Sequence, residues 1–104
     1  MHCHPTSETI AMQAFAYNTV HVRAAVGRSS ELGERLQRIV DAVRTAPGCL
    51  DYTVQRDPVD PDLWTVNGRW ACVRQLNAHF ALPALQGFIE LTREHLARRL
   101  DFDH

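Results

Sequence analysis

The sequence predicts an α+β sandwich with a split β-α-β order, and three observations carry that prediction. Apolar and polar residues alternate in three separate segments, Ala14 to Val26, Cys49 to Gln55 and Leu63 to Cys72, as half-buried strands require. Helical spacing follows the first and the third of these segments. Pro47-Gly48 and the two Asp-Pro steps between Asp57 and Asp62 fall where a helix has to stop and a hairpin has to turn.

Taken in order, Met1 to Ala11 is short, polar and aperiodic, which predicts a flexible arm and leaves residues 12–104 as one domain. His2, Cys3 and His4 lie in that arm, where nothing would hold a convergent ligand set, so no metal site is expected. In the first strand Asn18, Val20, Val22, Ala24 and Val26 share one face, and Tyr17, Thr19, His21, Arg23 and Ala25 share the other. Gly27 and Arg28 end it. Ser29 or Ser30 is the expected N-cap of a helix whose apolar stripe is Leu32, Leu36, Ile39, Val40 and Val43, with Glu31 and Glu34 near the positive end of its dipole.

Pro47-Gly48 closes that helix and the hairpin follows, its second strand carrying both tryptophans, Trp64 and Trp70. Val73, Leu76 and Phe80 then fall at helical spacing, which predicts a short helix from Val73 to Leu82 that also carries His79. Pro83 opens a last helix with the face Leu85, Phe88, Ile89, Thr92 and Leu96, and Arg93, His95, Arg98 and Arg99 gather towards its negative end. Leu100 to Asp103 is expected as a final strand. This order is that of a ferredoxin-like fold, with the helices on one face of the sheet and the other face bare. Tyr17, Ala25, Leu63, Thr65 and Ala71 are expected on the bare face, and a second copy of the chain is its simplest cover.

The chain has 104 residues and a formal net charge of −1, enough for one core and too balanced to attract nucleic acid or an anionic membrane surface. No apolar run has spanning length and no signal segment is visible, so a cytoplasmic protein is expected. Its 3 cysteines form no CxxC pair, and reduced thiols are expected. All 11 basic residues are arginine, which excludes Schiff-base chemistry and a phosphate-loop lysine. HExxH, GxGxxG and an ordered Ser-His-Asp set are also absent.

The run A-P-G-C-L-D-Y-T-V-Q-R-D-P-V-D-P, the strand ending in Arg69-Trp70, and L-N-A-H-F-A-L-P-A together resemble the antibiotic biosynthesis monooxygenase domain over Val20 to about Leu96. The resemblance implies a dimeric α+β barrel: a homodimer with a cavity between sheet and helices in each subunit. It implies a cofactor-independent monooxygenase that oxidises a small aromatic, such as a quinol, an anthrone or a related phenol, with O2. His79 would then be the base, Trp70 would hold the ring and Asn18 would donate to a developing oxyanion, while Trp64, Tyr52, Phe80 and Phe88 line the substrate. Two positions depart from the family. Gly68 stands where many members have Glu, which predicts a gap between the two indoles, and Val66 stands where polyketide-tailoring members have Asn. The haem-degrading members' axial histidine has no counterpart in Gln86 to Glu90, so no haem is expected. A cofactor-free isomerase or cyclase using the same base, and a dimer that only binds a small ligand, are the alternatives. On the residues alone, Trp70 in a strand serves packing as readily as a site, and a histidine beside an apolar face, as His79 is, is more often structural than catalytic.

Overall fold

Along the first strand, β1 (Ala16–Ala24), every second side chain is buried: Ala16, Asn18, Val20, Val22 and Ala24. The computed structural model describes residues 15–79 and 83–103. After β1 come α1 (Ser29–Val43), β2 (Cys49–Arg56), β3 (Leu63–Trp70), α2 (Val73–His79), α3 (Pro83–Arg93) and β4 (Ala97–Asp103). The expected arm and Phe80 lie outside the described residues, as do the side chains of His79 and of residues 83–85.

The four strands form one antiparallel sheet in the order β2-β3-β1-β4, the ferredoxin-like arrangement. Its register places Asn18 opposite Gly68, and His21 between Thr65 of β3 and Asp101 of β4. Leu32, Leu36, Val40 and Val43 of α1, Leu76 of α2 and Phe88 and Leu91 of α3 bury themselves on one side of the sheet against Val20, Val22, Tyr52, Val66 and Trp70. Each such side chain contributes about 1.5–3 kcal/mol when fully buried. The chain's alternation therefore decides which face receives the helices.

Among the described residues no helix covers the other face, and it is more polar than alternation alone suggested. Thr19 donates to Asn67 Oδ1 at 3.1 Å, Thr65 Oγ1 lies 3.4 Å from His21 Nδ1, and Arg23 pairs with Asp60 at 2.9 Å. Tyr17 is 58% exposed there, its ring offering the face an aromatic contact.

Several local expectations are corrected. Ser29 does not cap α1: Arg28 occupies the cap without a side-chain bond, because the Ser29 hydroxyl donates to the Pro61 carbonyl of the hairpin instead. The last helix ends at Arg93, where His95 adopts a left-handed φ of 62° and the Leu96 amide bonds back to the Leu91 carbonyl. Strand β4 consequently starts at Ala97 rather than Leu100, and Arg98 and Arg99 extend along it instead of ending a helix. Cys72 is disulfide-bonded to a partner outside the described residues, against the expectation of reduced thiols, while Cys49 is a free thiol. None of the described helices is long and apolar enough to cross a membrane.

Candidate functional site

Asn18 is the polar interruption in the buried face of β1, and it is 3% exposed. A buried amide needs partners. The next two strands of the sheet, β3 and then β2, supply two of them. Trp70, at the end of β3, donates its indole N–H to Asn18 Oδ1 at 2.8 Å, and the Tyr52 phenol of β2 also bonds the Asn18 side chain. The Tyr52 and Trp70 rings meet edge to face, their centroids 6.1 Å apart. Burial pushes the Tyr52 phenol up to about 12, and the Asn18 bond pulls weakly the other way, so it is a neutral hydrogen-bonding group at any physiological pH.

Gly68 makes this cluster possible. A Cβ at that position would stand 2.5 Å from Tyr52 Cε1 and would also strike Asn18 Oδ1. The gap expected between the two indoles is therefore already filled, by side chains from the strands on either side. The sequence could not show this, because it depends on which residues of β1 and β2 lie opposite Gly68.

Of the residues singled out from sequence, the structure brings Asn18, Trp70 and Tyr52 together. Trp64 shares the helix-covered face of β3 but lies six residues away, about 20 Å along an extended strand. Its ring packs on Gly33 of α1, its N–H donates to Ser29 Oγ at 3.0 Å, and the Arg56 guanidinium lies 5.1 Å above it. Phe88 is fully buried on α3, edge to face with Phe102 of β4 at 6.0 Å. His79 is the last residue of α2, a helix that packs over β1 and β3.

Two features escaped the sequence reading. Ser29 is a hub that accepts from Trp64 and from Arg56 Nη2 at 3.0 Å each, while Arg56 Nε also bonds the Pro61 carbonyl. Its signal was a serine at a helix start that fits capping equally well. The other is a depression of about 220 Å³ lined by Arg44, Cys49, Leu50, Asp51 and Tyr52, where β2 carries an irregular pairing between Cys49 and Asp51. Burial pushes the Cys49 thiol up, so it is a poor nucleophile at neutral pH. Among the described residues no three His, Cys, Asp or Glu side chains are grouped to hold a metal ion.

Comparison with solved structures finds the same fold repeatedly. A Deinococcus radiodurans protein provisionally named an antibiotic biosynthesis monooxygenase is 25% identical, with a TM-score of 0.75 over 86% of this chain and 88% of that one. Protein SO0527 of Shewanella oneidensis is 16% identical, with a TM-score of 0.78 over 88% of each chain. Rv0793 of Mycobacterium tuberculosis is 17% identical, with a TM-score of 0.73 over 86% of this chain and 91% of that one. Among curated proteins none matches. The sequence pattern of one family, described as antibiotic biosynthesis monooxygenase, matches residues 16–91. That match runs from the first residue of β1 through the Asn18, Tyr52 and Trp70 cluster to Leu91 in α3, and by it this chain belongs to the antibiotic biosynthesis monooxygenase family.

Proposed function

We propose that this protein is a cofactor-independent monooxygenase that oxidises a small electron-rich aromatic, a quinol, an anthrone or a related phenol, with O2. The observation that carries the reading is the buried Asn18, Tyr52 and Trp70 cluster on the helix-covered face, in a chain of this family. In the reaction a base removes a proton from the substrate, and the resulting anion transfers its electrons to O2. One oxygen atom ends in the product and the other leaves as water, so no external reductant is consumed. The protein's tasks are to take the proton, hold the oxyanion and exclude water. His79 on α2 is the proposed base, since a neutral imidazole can accept a proton. Asn18 is the proposed donor to the developing oxyanion. Phe80 and Phe88 are proposed to bound the ring.

The protein is further proposed to work as a homodimer that covers the bare sheet face, with Tyr17, His21, Thr65 and Arg69 in the contact.

The test is oxygen uptake with an anthrone or a quinol as substrate. Consumption of O2 by the purified protein, falling about 10²-fold in His79→Gln, is the expected result. Turnover that persists under nitrogen would show an isomerase or cyclase instead. No turnover with any of these substrates, together with saturable binding, would leave a ligand-binding dimer.

A further inference from the structure

Two of the chain's 3 cysteines stand where β2 begins and just past the end of β3. Cys49 is paired with Trp70 across the ladder, and one step further the Ala71 amide donates to the Gly48 carbonyl at 2.8 Å. Cys72 is therefore the diagonal neighbour of Cys49, and such neighbours lie roughly 7–8 Å apart between Cα atoms. The Gln75 side chain of α2 also fills the space where a Cβ on Gly48 would stand, so the turn before Cys49 and the helix after Cys72 are in direct contact. The two sulfurs differ in state: Cys49 is a free thiol and Cys72 is half of a disulfide. The sequence has one further cysteine, Cys3, which makes it the other half.

A thiolate beside a disulfide can exchange with it, and the exchange consumes neither oxidant nor reductant. We propose that Cys49 and Cys72 form a disulfide-exchange switch, in which Cys49 displaces Cys3 from Cys72 and so moves the tie on the start of α2 from the N-terminal segment to β2. Cys49 gives up its proton, and its thiolate attacks Sγ of Cys72. The Cys49–Cys72 bond forms, the Cys72–Cys3 bond breaks, and Cys3 leaves as a thiolate that takes up the proton. Two sulfurs are oxidised and one is reduced both before and after.

The geometry keeps this switch poised. Cysteines whose Cα atoms are more than about 7 Å apart are bridged only if the backbone moves. The movement falls where the sheet is least regular, since β2 shifts register between Cys49 and Asp51 and β3 has ended at Trp70. Cys49 is reachable, because it lines the depression of about 220 Å³ with Arg44 and Asp51. Burial keeps it mostly as the thiol at neutral pH, which makes the exchange slow there. The inference does not rest on the monooxygenase reading, although α2 also carries His79.

The test is disulfide mapping by mass spectrometry on protein purified without reductant, its thiols capped with N-ethylmaleimide before digestion. Trypsin cuts after arginine and leaves the three cysteines in separate peptides, residues 1–23, 45–56 and 70–74. At the start 1–23 should be joined to 70–74, with the cap on 45–56. After hours at about pH 8.5 without added thiol, 45–56 should be joined to 70–74 and the cap should sit on 1–23, at a rate independent of protein concentration. In Cys49→Ser the first link should persist. A cap on 70–74 at the start, no link between 45–56 and 70–74, a link that forms faster at higher protein concentration, or one that joins 45–56 to 1–23 would each overturn the switch. Amide hydrogen exchange in α2 should differ between the two linked forms, and identical exchange overturns the change of tie.

Discussion

The indole of Trp64 rests on the bare backbone of Gly33: a Cβ at Gly33 would stand 2.6 Å from Trp64 Cζ2. The contact is how α1 sits on β3 at the end of the sheet away from Asn18. The ring has little freedom to retreat, because its N–H is bonded to Ser29 Oγ and its face is covered by Arg56.

Gly33→Ala sets two effects against each other. Alanine in place of glycine within a helix gains about 1 kcal/mol of helix propensity. Forcing a methyl against a pinned ring costs about 1–3 kcal/mol. The second effect is expected to win, lowering the melting temperature by several degrees in a domain of this size, where about 1 kcal/mol corresponds to roughly 4–8 °C. A thermal melt followed by circular dichroism checks this, and an unchanged or raised melting temperature would show that the indole moves aside.

The same pair of elements shows what sequence could and could not disclose. Period-two alternation put Trp64, Val66, Gly68 and Trp70 on one face of β3, and the structure agrees. Alternation says nothing about what stands across from each residue. Gly68 looked like a gap because the ladder that sets Asn18 and Tyr52 beside it is a tertiary property. Ser29 was misread for a related reason: a hydroxyl at a helix start suits capping locally, and only the folded hairpin brings the Pro61 carbonyl within reach. The end of the last helix was missed because His95 adopts the left-handed backbone that usually belongs to glycine or asparagine.

Tyr52 predicts an alkaline limit to stability. Its pKa is raised from 10.0 to about 12 in the folded protein, chiefly by burial. A folded-state value above the unfolded one means that the stabilisation is complete below the unfolded pKa and is lost as pH rises through the folded one. The window is therefore about pH 10 to 12, and a gap of that size corresponds to about 2–3 kcal/mol. Denaturant melts between pH 9 and 12 should show the fall, and Tyr52→Phe should flatten it even though it removes the bond to Asn18. An equally steep fall in the variant would assign the loss to other groups.

Acid should act through the surface pairs. Arg35 of α1 bonds Glu94, just beyond α3, at 2.6 Å, and that bond holds the Glu94 carboxyl below its ordinary value of 4.5. Asp60 is held down by Arg23 in the same manner, and Glu31 by Arg28. Depressed folded-state values mean that these contributions are present above the ordinary carboxylate range and disappear as pH falls through the lowered pKa values. All three carboxylates are solvated, so each contribution is small and screened by salt. Glu94→Gln should lower the melting temperature slightly at pH 7 and not at pH 2, with the difference shrinking in 1 M salt. A difference that persists at pH 2 would mean that Glu94 acts by packing rather than charge.

The proposed homodimer places the centre of the bare face against its own copy. In a two-fold interface a residue near the axis meets itself or a close neighbour, so a charge introduced there is introduced twice. Thr65 suits this test: it lies on a central strand, opposite His21 on one side and Gln55 on the other. It belongs to the exposed side of β3, away from Trp70 and the core. Thr65→Glu should leave the far-ultraviolet circular dichroism spectrum intact while placing two carboxylates in an area that a specific dimer would bury, more than about 1,000 Å² in total. Sedimentation at micromolar concentration should then find a dimer for the unaltered protein and a monomer for Thr65→Glu. If the unaltered protein is a monomer, there is no such dimer; if both sediment as dimers, the subunits meet through a different surface and the bare face has another use.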